Sequence, residues 1–278
     1  MATEESPHSS PDTIVLVHGL WMTSRSWEHW KERYEAQGYK VLTPAWPGFD
    51  GEVEGLRADP APLAGLTAQQ VIDSYDRIIR ELESPPIIMG HSLGGAITQV
   101  LLDRGLGAAA VGVAPATVKG ILDLPLSTLR ASGHILGWPP NRSKATPSSR
   151  KQFKYAFGNT MTQAESDAIY DRYYIPSANR VLFDIALANL SRNAPTEVDF
   201  NKADRAPLLM IAFEHDHVVP PKPIRHNASK YTAGTVAFTE FPGRPHFPGA
   251  PGWEEVADYA LSWAVEHAGA ARQAEVGA

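Results

Sequence analysis

Three short stretches of this 278-residue chain hold the residue types that nucleophilic catalysis needs. Gly90-His91-Ser92-Leu93-Gly94 sets a serine among small residues, directly after the apolar run Ile87-Ile88-Met89 and before an apolar helical stretch. A strand that turns sharply into a helix forces its central residue into a strained conformation. Small neighbours are then required, and the hydroxyl is presented at the tip of the sheet. The helix behind it aims N–H groups and the positive end of a dipole at the same place. A serine hydroxyl is a weak nucleophile until a base takes its proton, and the base must be oriented by an acid. Two later loops supply candidates: Glu214-His215-Asp216-His217-Val218-Val219-Pro220 after the run Leu208–Phe213, and Pro242-Gly243-Arg244-Pro245-His246-Phe247-Pro248 after the run Thr235–Phe241. Ser, then Asp, then His, each beyond the C-terminal end of a strand, is the chain order such a site takes on a parallel sheet.

With His18-Gly19 after the first apolar run and Asp216 followed by Val-Val-Pro, these landmarks make the sequence resemble the α/β-hydrolase family over nearly its whole length. The resemblance implies Ser92 as nucleophile, Asp216 as acid and His246 as base. It also implies an oxyanion hole made of the backbone N–H groups of Leu20 and Leu93, since a developing alkoxide needs preorganised donors whatever side chain they carry. Glu214 competes for the role of acid and His226 for that of base, although His226 falls inside a predicted helix. The loop Val113–Val118, where some relatives place the acid, contains no carboxylate. His18 reads as a residue that fixes the oxyanion loop. Trp21, Met22 and His91 are candidate substrate-pocket residues, with core packing as the competing reading. His215-Asp216-His217 has no third ligand near it, so neither a metal nor a cofactor is expected.

The elements that must position these residues follow from hydrophobic period. Thr13–Val17, Tyr39–Thr43, Ile87–Met89, Ala108–Val113, Leu208–Phe213 and Thr235–Phe241 are short apolar runs that read as strands. Helical patterns lie between them over Ser24–Gln37, Thr67–Leu82, Leu93–Leu102, from Pro223 and over Trp253–Ala268. The alternation predicts an α/β fold, a mostly parallel doubly wound sheet of about six or more strands, covered on both faces. The stretch 116–205 breaks it, with helical candidates at Leu122–Leu136, Ser149–Phe157, Thr162–Tyr173 and Ser177–Leu190 and no convincing strand. We expect a tail over 1–12, a hydrolase core over 13–115 and 206–270, a helical cap or lid over 116–205, and a second tail over 271–278.

Composition narrows the chemistry. With no cysteine there is no disulfide framework, thiolate metal site or thiol nucleophile, so the attacking atom is an oxygen. A net charge of −6 lacks the basic field that a phosphate backbone requires, so nucleic acid is not an expected partner. Apolar runs of strand length are too short to cross a membrane, which leaves a small-molecule ester as the expected partner, a cytoplasmic location as the default, and the oligomeric state open. The expected activity is hydrolysis of carboxylic esters, or of lactones and activated amides, through a Ser92 acyl-enzyme. Alternatives on the same scaffold are a cofactor-free perhydrolase of haloperoxidase type, a hydroxynitrile lyase, whose relatives add a lysine near the base, and a non-catalytic small-molecule receptor. Serine rather than aspartate at the turn argues against dehalogenase and epoxide hydrolase chemistry, which needs a carboxylate nucleophile.

Overall fold

Strand β1 (Thr13–Val17) opens the chain's sheet, in a computed structural model that describes residues 11–276. Its β-branched and leucine residues are buried on both faces, as a central parallel strand requires. A short 3-10 turn and α1 (Glu28–Glu35) lead to β2 (Lys40–Leu42). Then follow α2 (Val53–Ala58), α3 (Ala68–Arg80), β3 (Ile87–His91), α4 (Leu93–Asp103) and β4 (Ala109–Val113). Between β4 and the next long strand the chain inserts α5 (Leu126–Leu136), β5 (Ala145–Thr146), α6 (Arg150–Phe157), α7 (Gln163–Tyr173), β6 (Ser177–Ala178) and α8 (Asn179–Ala186). The sheet resumes with β7 (Leu208–Phe213), α9 (Pro221–Lys230) and β8 (Val236–Phe241), and the chain closes with α10 (Trp253–Val276).

The six long strands lie in the order β2-β1-β3-β4-β7-β8, and every pairing is parallel. The chain runs outward from β1 to β2 and then reverses to β3, so the switch point falls between β1 and β3. Ligand sites of open parallel sheets form beyond the strand ends at such a point. Alternate residues of each strand feed separate cores. Ile14, Leu16, Ile87, Met89, Leu209 and Ile211 pack with Trp27, Trp30 and Tyr34 and with α10. Val15, Val17, Ile88, Leu208 and Met210 face α3, α4 and the inserted helices.

Several boundaries depart from the sequence reading for local reasons. The helix expected from Leu122 starts at Leu126, because Pro125 precludes helical geometry for the residue before it. The first residues of the expected Ser177–Leu190 helix instead form β6, which pairs antiparallel with β5, and the helix ends at Ala186 before a 3-10 turn. Helix α2 forms within the Gly/Pro-rich stretch 44–65. Of the expected tails, residues 1–10 and 277–278 lie outside the described residues. The Asp12 carbonyl already accepts from Lys40 N–H at 2.8 Å, and α10 continues through the stretch 271–276. Among the described residues no helix is long and apolar enough to cross a membrane.

Thr67 begins α3 with a capping box, its hydroxyl accepting from Gln70 N–H while the Gln70 side chain returns to Thr67 N–H. Thr67→Ala should therefore lower the unfolding free energy by about 1 kcal/mol. In urea this appears as a lower midpoint with an unchanged slope; an unchanged midpoint would show that α3 does not depend on its cap.

Candidate active site

Ser92 occupies the single residue between β3 and α4, with φ 54° and ψ −121°, in the region that L side chains avoid. Three backbone hydrogen bonds hold it there. Its N–H donates to Val113 O at 3.0 Å, and its carbonyl accepts from Gly95 N–H at 2.9 Å and Ala116 N–H at 2.7 Å. The turn closes only because its neighbours have no side chain. A Cβ on Gly90 would stand 2.2 Å from Gly94 O, and one on Gly94 would stand 2.2 Å from Val17 O. The same contacts press the N-terminus of α4 onto the ends of β1 and β3.

His246 reaches Ser92 from the loop after β8, its Nε2 2.9 Å from Ser92 Oγ. Its Nδ1 lies 2.6 Å from Asp216 Oδ2, in the loop after β7. A carboxylate only accepts, so Nδ1 carries the proton and Nε2 turns its lone pair toward the serine hydroxyl. Asp216 Oδ1 accepts from the N–H groups of Val218 at 2.7 Å and Val219 at 2.8 Å, so this buried carboxylate has partners on both oxygens. The His246 imidazole is fully buried between the His91 ring at 4.7 Å and the edge of Phe157 at 5.0 Å. Its loop is further fixed by Trp30 Nε1, which donates to Pro248 O at 2.9 Å.

The competing residues have other partners. Glu214 is half exposed and accepts from Gly243 N–H. His226, in α9, pairs through Nδ1 with Asp123. His217 donates from Nδ1 to Tyr155 O and stacks on the Tyr155 ring. Among the described residues no group of three or more His, Asp or Glu side chains is arranged to hold a metal ion.

The turn Gly19–Met22 runs beside Ser92 and is fixed by His18. Trp46 N–H donates to His18 Nε2 at 3.3 Å, so the ring proton sits on Nδ1, which donates to Gly19 O at 3.0 Å. In a trans peptide the carbonyl and the following N–H point in opposite directions. Holding Gly19 O on one side therefore sends the Leu20 N–H to the other. Burial pulls the His18 pKa down to about 4, against weaker backbone hydrogen bonds with Gly19 and Met22 that raise it.

A cavity of about 300 Å³ opens on Ser92, Leu20, Trp21 and Leu93. Its lining is mostly apolar, with Val118, Ile121, Leu136, Leu182 and Ile185 among its members and Asp123, Thr128, Ser132 and Asn189 as polar ones, and no lysine or arginine lines it. Of the three expected pocket residues, only Trp21 lines this cavity. Met22 is turned into the core, with its backbone bridged to Tyr174. His91 lies behind His246 instead, its Nε2–H donating to His246 O at 2.9 Å, because the residue before the serine in this turn points back under the loop. Burial, with His246 and His18 nearby, holds its pKa well below the usual value, so it stays neutral. Sequence reasoning missed Phe157, which packs on His246 from 89 positions away, and Trp30, which holds Pro248 from 218 positions away; no local pattern marks them.

Residues 14–259 match the family described as the Alpha/beta hydrolase family. The chain belongs to this family. No curated protein matches the sequence significantly. Among solved structures, this alpha/beta hydrolase is similar to a monoacylglycerol lipase from Paleococcus ferrophilus, with 21% identity, TM-score 0.63, and coverage of 93% of this chain and 96% of that one. It is similar to an extracellular alpha/beta-hydrolase from a Paenibacillus species at 18% identity and TM-score 0.67, covering 91% and 99% of the two chains. A pyrethroid hydrolase from Sphingobium faniae matches at 20% identity and TM-score 0.63, covering 92% and 98%. At these identities the likeness carries the fold.

His18 links this site to acid stability. The unfolded chain takes up a proton near pH 6.5 and the folded one only near pH 4, so the stabilisation is complete above pH 6.5 and is lost as pH falls toward 4. At pH 5 the loss from His18 is about 2 kcal/mol. Urea unfolding at pH 7.5 and 5.0 should show wild type losing more stability than His18→Gln by that margin; equal losses would refute the linkage.

Proposed function

We propose that this alpha/beta hydrolase cleaves carboxylic esters through a covalent acyl-enzyme on Ser92. The observation that carries the reading is the hydrogen-bonded chain from Ser92 Oγ through His246 to Asp216, ending at an apolar cavity. In this mechanism Ser92 Oγ attacks the ester carbonyl while His246 Nε2 takes the hydroxyl proton. The carbonyl oxygen becomes an alkoxide facing the N–H groups of Leu20 and Leu93, at the N-terminus of α4. Collapse breaks the bond to the leaving alcohol, which takes the proton from His246. A water molecule then gives its proton to His246 and its oxygen to the acyl carbon, and Ser92 recovers its proton as the acid leaves. Asp216 keeps the imidazole in the tautomer the first step needs and stabilises the imidazolium between steps.

The cavity favours this reading over the others. A lyase that splits cyanohydrins on this scaffold uses a lysine beside the base, and no lysine lines the space next to Ser92. A mostly apolar lining suits an uncharged acid or alcohol group. Two structural neighbours are named as a monoacylglycerol lipase and a pyrethroid hydrolase, which accords with ester chemistry here.

A fluorophosphonate probe should label wild type at Ser92 and leave Ser92→Ala unlabelled. With p-nitrophenyl esters as substrates, Asp216→Asn should lower kcat by about 10⁴-fold, because the amide favours the wrong imidazole tautomer. Wild-type turnover retained in Ser92→Ala would contradict the proposal.

A further inference from the structure

The turn that carries Leu20 is strained and is braced from outside the core. Trp21 has φ 67°, which for a bulky residue persists only where its surroundings impose it. Its carbonyl accepts from Ile175 N–H at 2.9 Å, and Met22 forms an antiparallel bridge with Tyr174. The oxyanion turn is thus paired, backbone to backbone, with the two residues that follow α7.

The first of those two residues, and the turn before it, are held by Arg57. Its Nε donates to Tyr174 O at 2.6 Å, and its Nη2 donates to Asp171 O at 2.9 Å and to Tyr170 O. These carbonyls belong to the last turn of α7 and the residue after it, where helical partners run out and a cation is favoured by the dipole. The guanidinium also stands over the Tyr170 ring at 5.4 Å. Arg57 comes from α2 in the core, not from the insertion, and it does not line the cavity. Arg57 therefore helps fasten the end of α7 to the core, beside the contacts of Arg172 and Tyr173 with Glu28 of α1, and the segment so fastened holds Trp21.

We propose that Arg57 is a positioning residue for the Leu20 oxyanion donor, acting through Tyr174 and Ile175 on the strained Trp21. The inference rests on the serine-hydrolase reading of the site. Without the guanidinium, Tyr174 O and Asp171 O lose its N–H groups, Tyr170 O keeps only the Tyr174 N–H, and the 174–175 segment loses a tie that limits its movement. Trp21 then loses the hydrogen bond to its carbonyl and can relax out of the left-handed region, turning the Leu20–Trp21 peptide and the Leu20 N–H that precedes it. Such a change weakens binding of the developing oxyanion and leaves the aliphatic side chains of α5 and α8 that line the cavity in place, so it acts on kcat more than on KM.

The test compares wild type, Arg57→Met and Arg57→Lys, with active sites counted by fluorophosphonate titration. Outright loss of an oxyanion donor costs about 10²–10³ in kcat, so its displacement in Arg57→Met should lower kcat per titrated site by roughly tenfold or more, with KM within about twofold. Affinity for a trifluoromethyl ketone, which forms a tetrahedral oxyanion on the serine, should fall in parallel, and Arg57→Lys should be intermediate. A purely structural role would lower the titrated fraction and leave kcat per site and ketone affinity unchanged, which would overturn the proposal. Amide hydrogen exchange at Ile175 supplies a readout independent of turnover: it should quicken in Arg57→Met while the core strands stay protected, and unchanged exchange would also overturn it. If wild type turns over no ester and takes no fluorophosphonate, the hydrolase reading has failed, and the exchange result alone decides whether Arg57 holds the turn.

Discussion

A carboxylate with no contact with water is tolerated only where each oxygen has a donor, and Asp216 meets that condition with the backbone of its own loop on one side and His246 on the other. Much of the surrounding architecture can be understood as serving this hydrogen bond. The loop after β7 curls so that Val218 and Val219 N–H face Oδ1, and the loop after β8 must deliver His246 within reach of Oδ2. Parallel pairing of β7 with β8 in register from Leu208 to Phe213 places the two loops side by side. Once Nδ1 is committed to Asp216, the direction of Nε2 is set, and Ser92 has to rise to meet it. The left-handed turn between β3 and α4 accomplishes that, and Gly90 and Gly94 let the helix come close enough.

The insertion between β4 and β7 takes part in the same construction. From α6, the Phe157 ring covers one face of His246 and the Phe157 carbonyl accepts from Phe247 N–H. The Tyr155 carbonyl holds His217 next to the acid, and Asn159 donates to His215 O. Beyond α7, Tyr174 and Ile175 brace the turn that carries Leu20. The insertion thus touches the loops of His246, Asp216 and Leu20 from three separate points, which ties its placement to the geometry of the candidate site. On the opposite side, α5 and α8 meet the cavity through Leu136, Leu182 and Ile185 and give it an aliphatic lining.

How much of this can be read from the chain depends on the range of the interactions. The strand positions and the turn at Ser92 are local: an apolar run, a glycine-framed serine and an apolar helix follow within sixteen residues. Asp216 and His246 are separated from Ser92 by more than a hundred positions, yet both sit immediately after apolar runs, and the rule for strand ends finds them. Met22 and His91 do not line the pocket, because adjacency in sequence to Leu20 and Ser92 does not give direction. A strained turn sends successive side chains to opposite sides, so Trp21 meets the cavity while Met22 enters the core. Phe157, Trp30 and Arg57 act across 89, 218 and 117 positions, through a ring, an indole N–H and a guanidinium on carbonyls, and none of these leaves a spacing pattern. The start of α5 was missed for a different reason, since the apolar period continues through Leu122 and Leu124 while Pro125 interrupts the backbone.

The central claim is that Ser92 is acylated and then released by water. Rapid mixing of the protein with excess p-nitrophenyl acetate, followed by quenching and peptide mass analysis, tests it directly. The account predicts a burst of nitrophenolate close to one equivalent per active site, a slower steady rate, and an acetyl group on the peptide containing Ser92 during that steady phase. Steady turnover with the Ser92 peptide unmodified and the acetyl group found on another residue would contradict it.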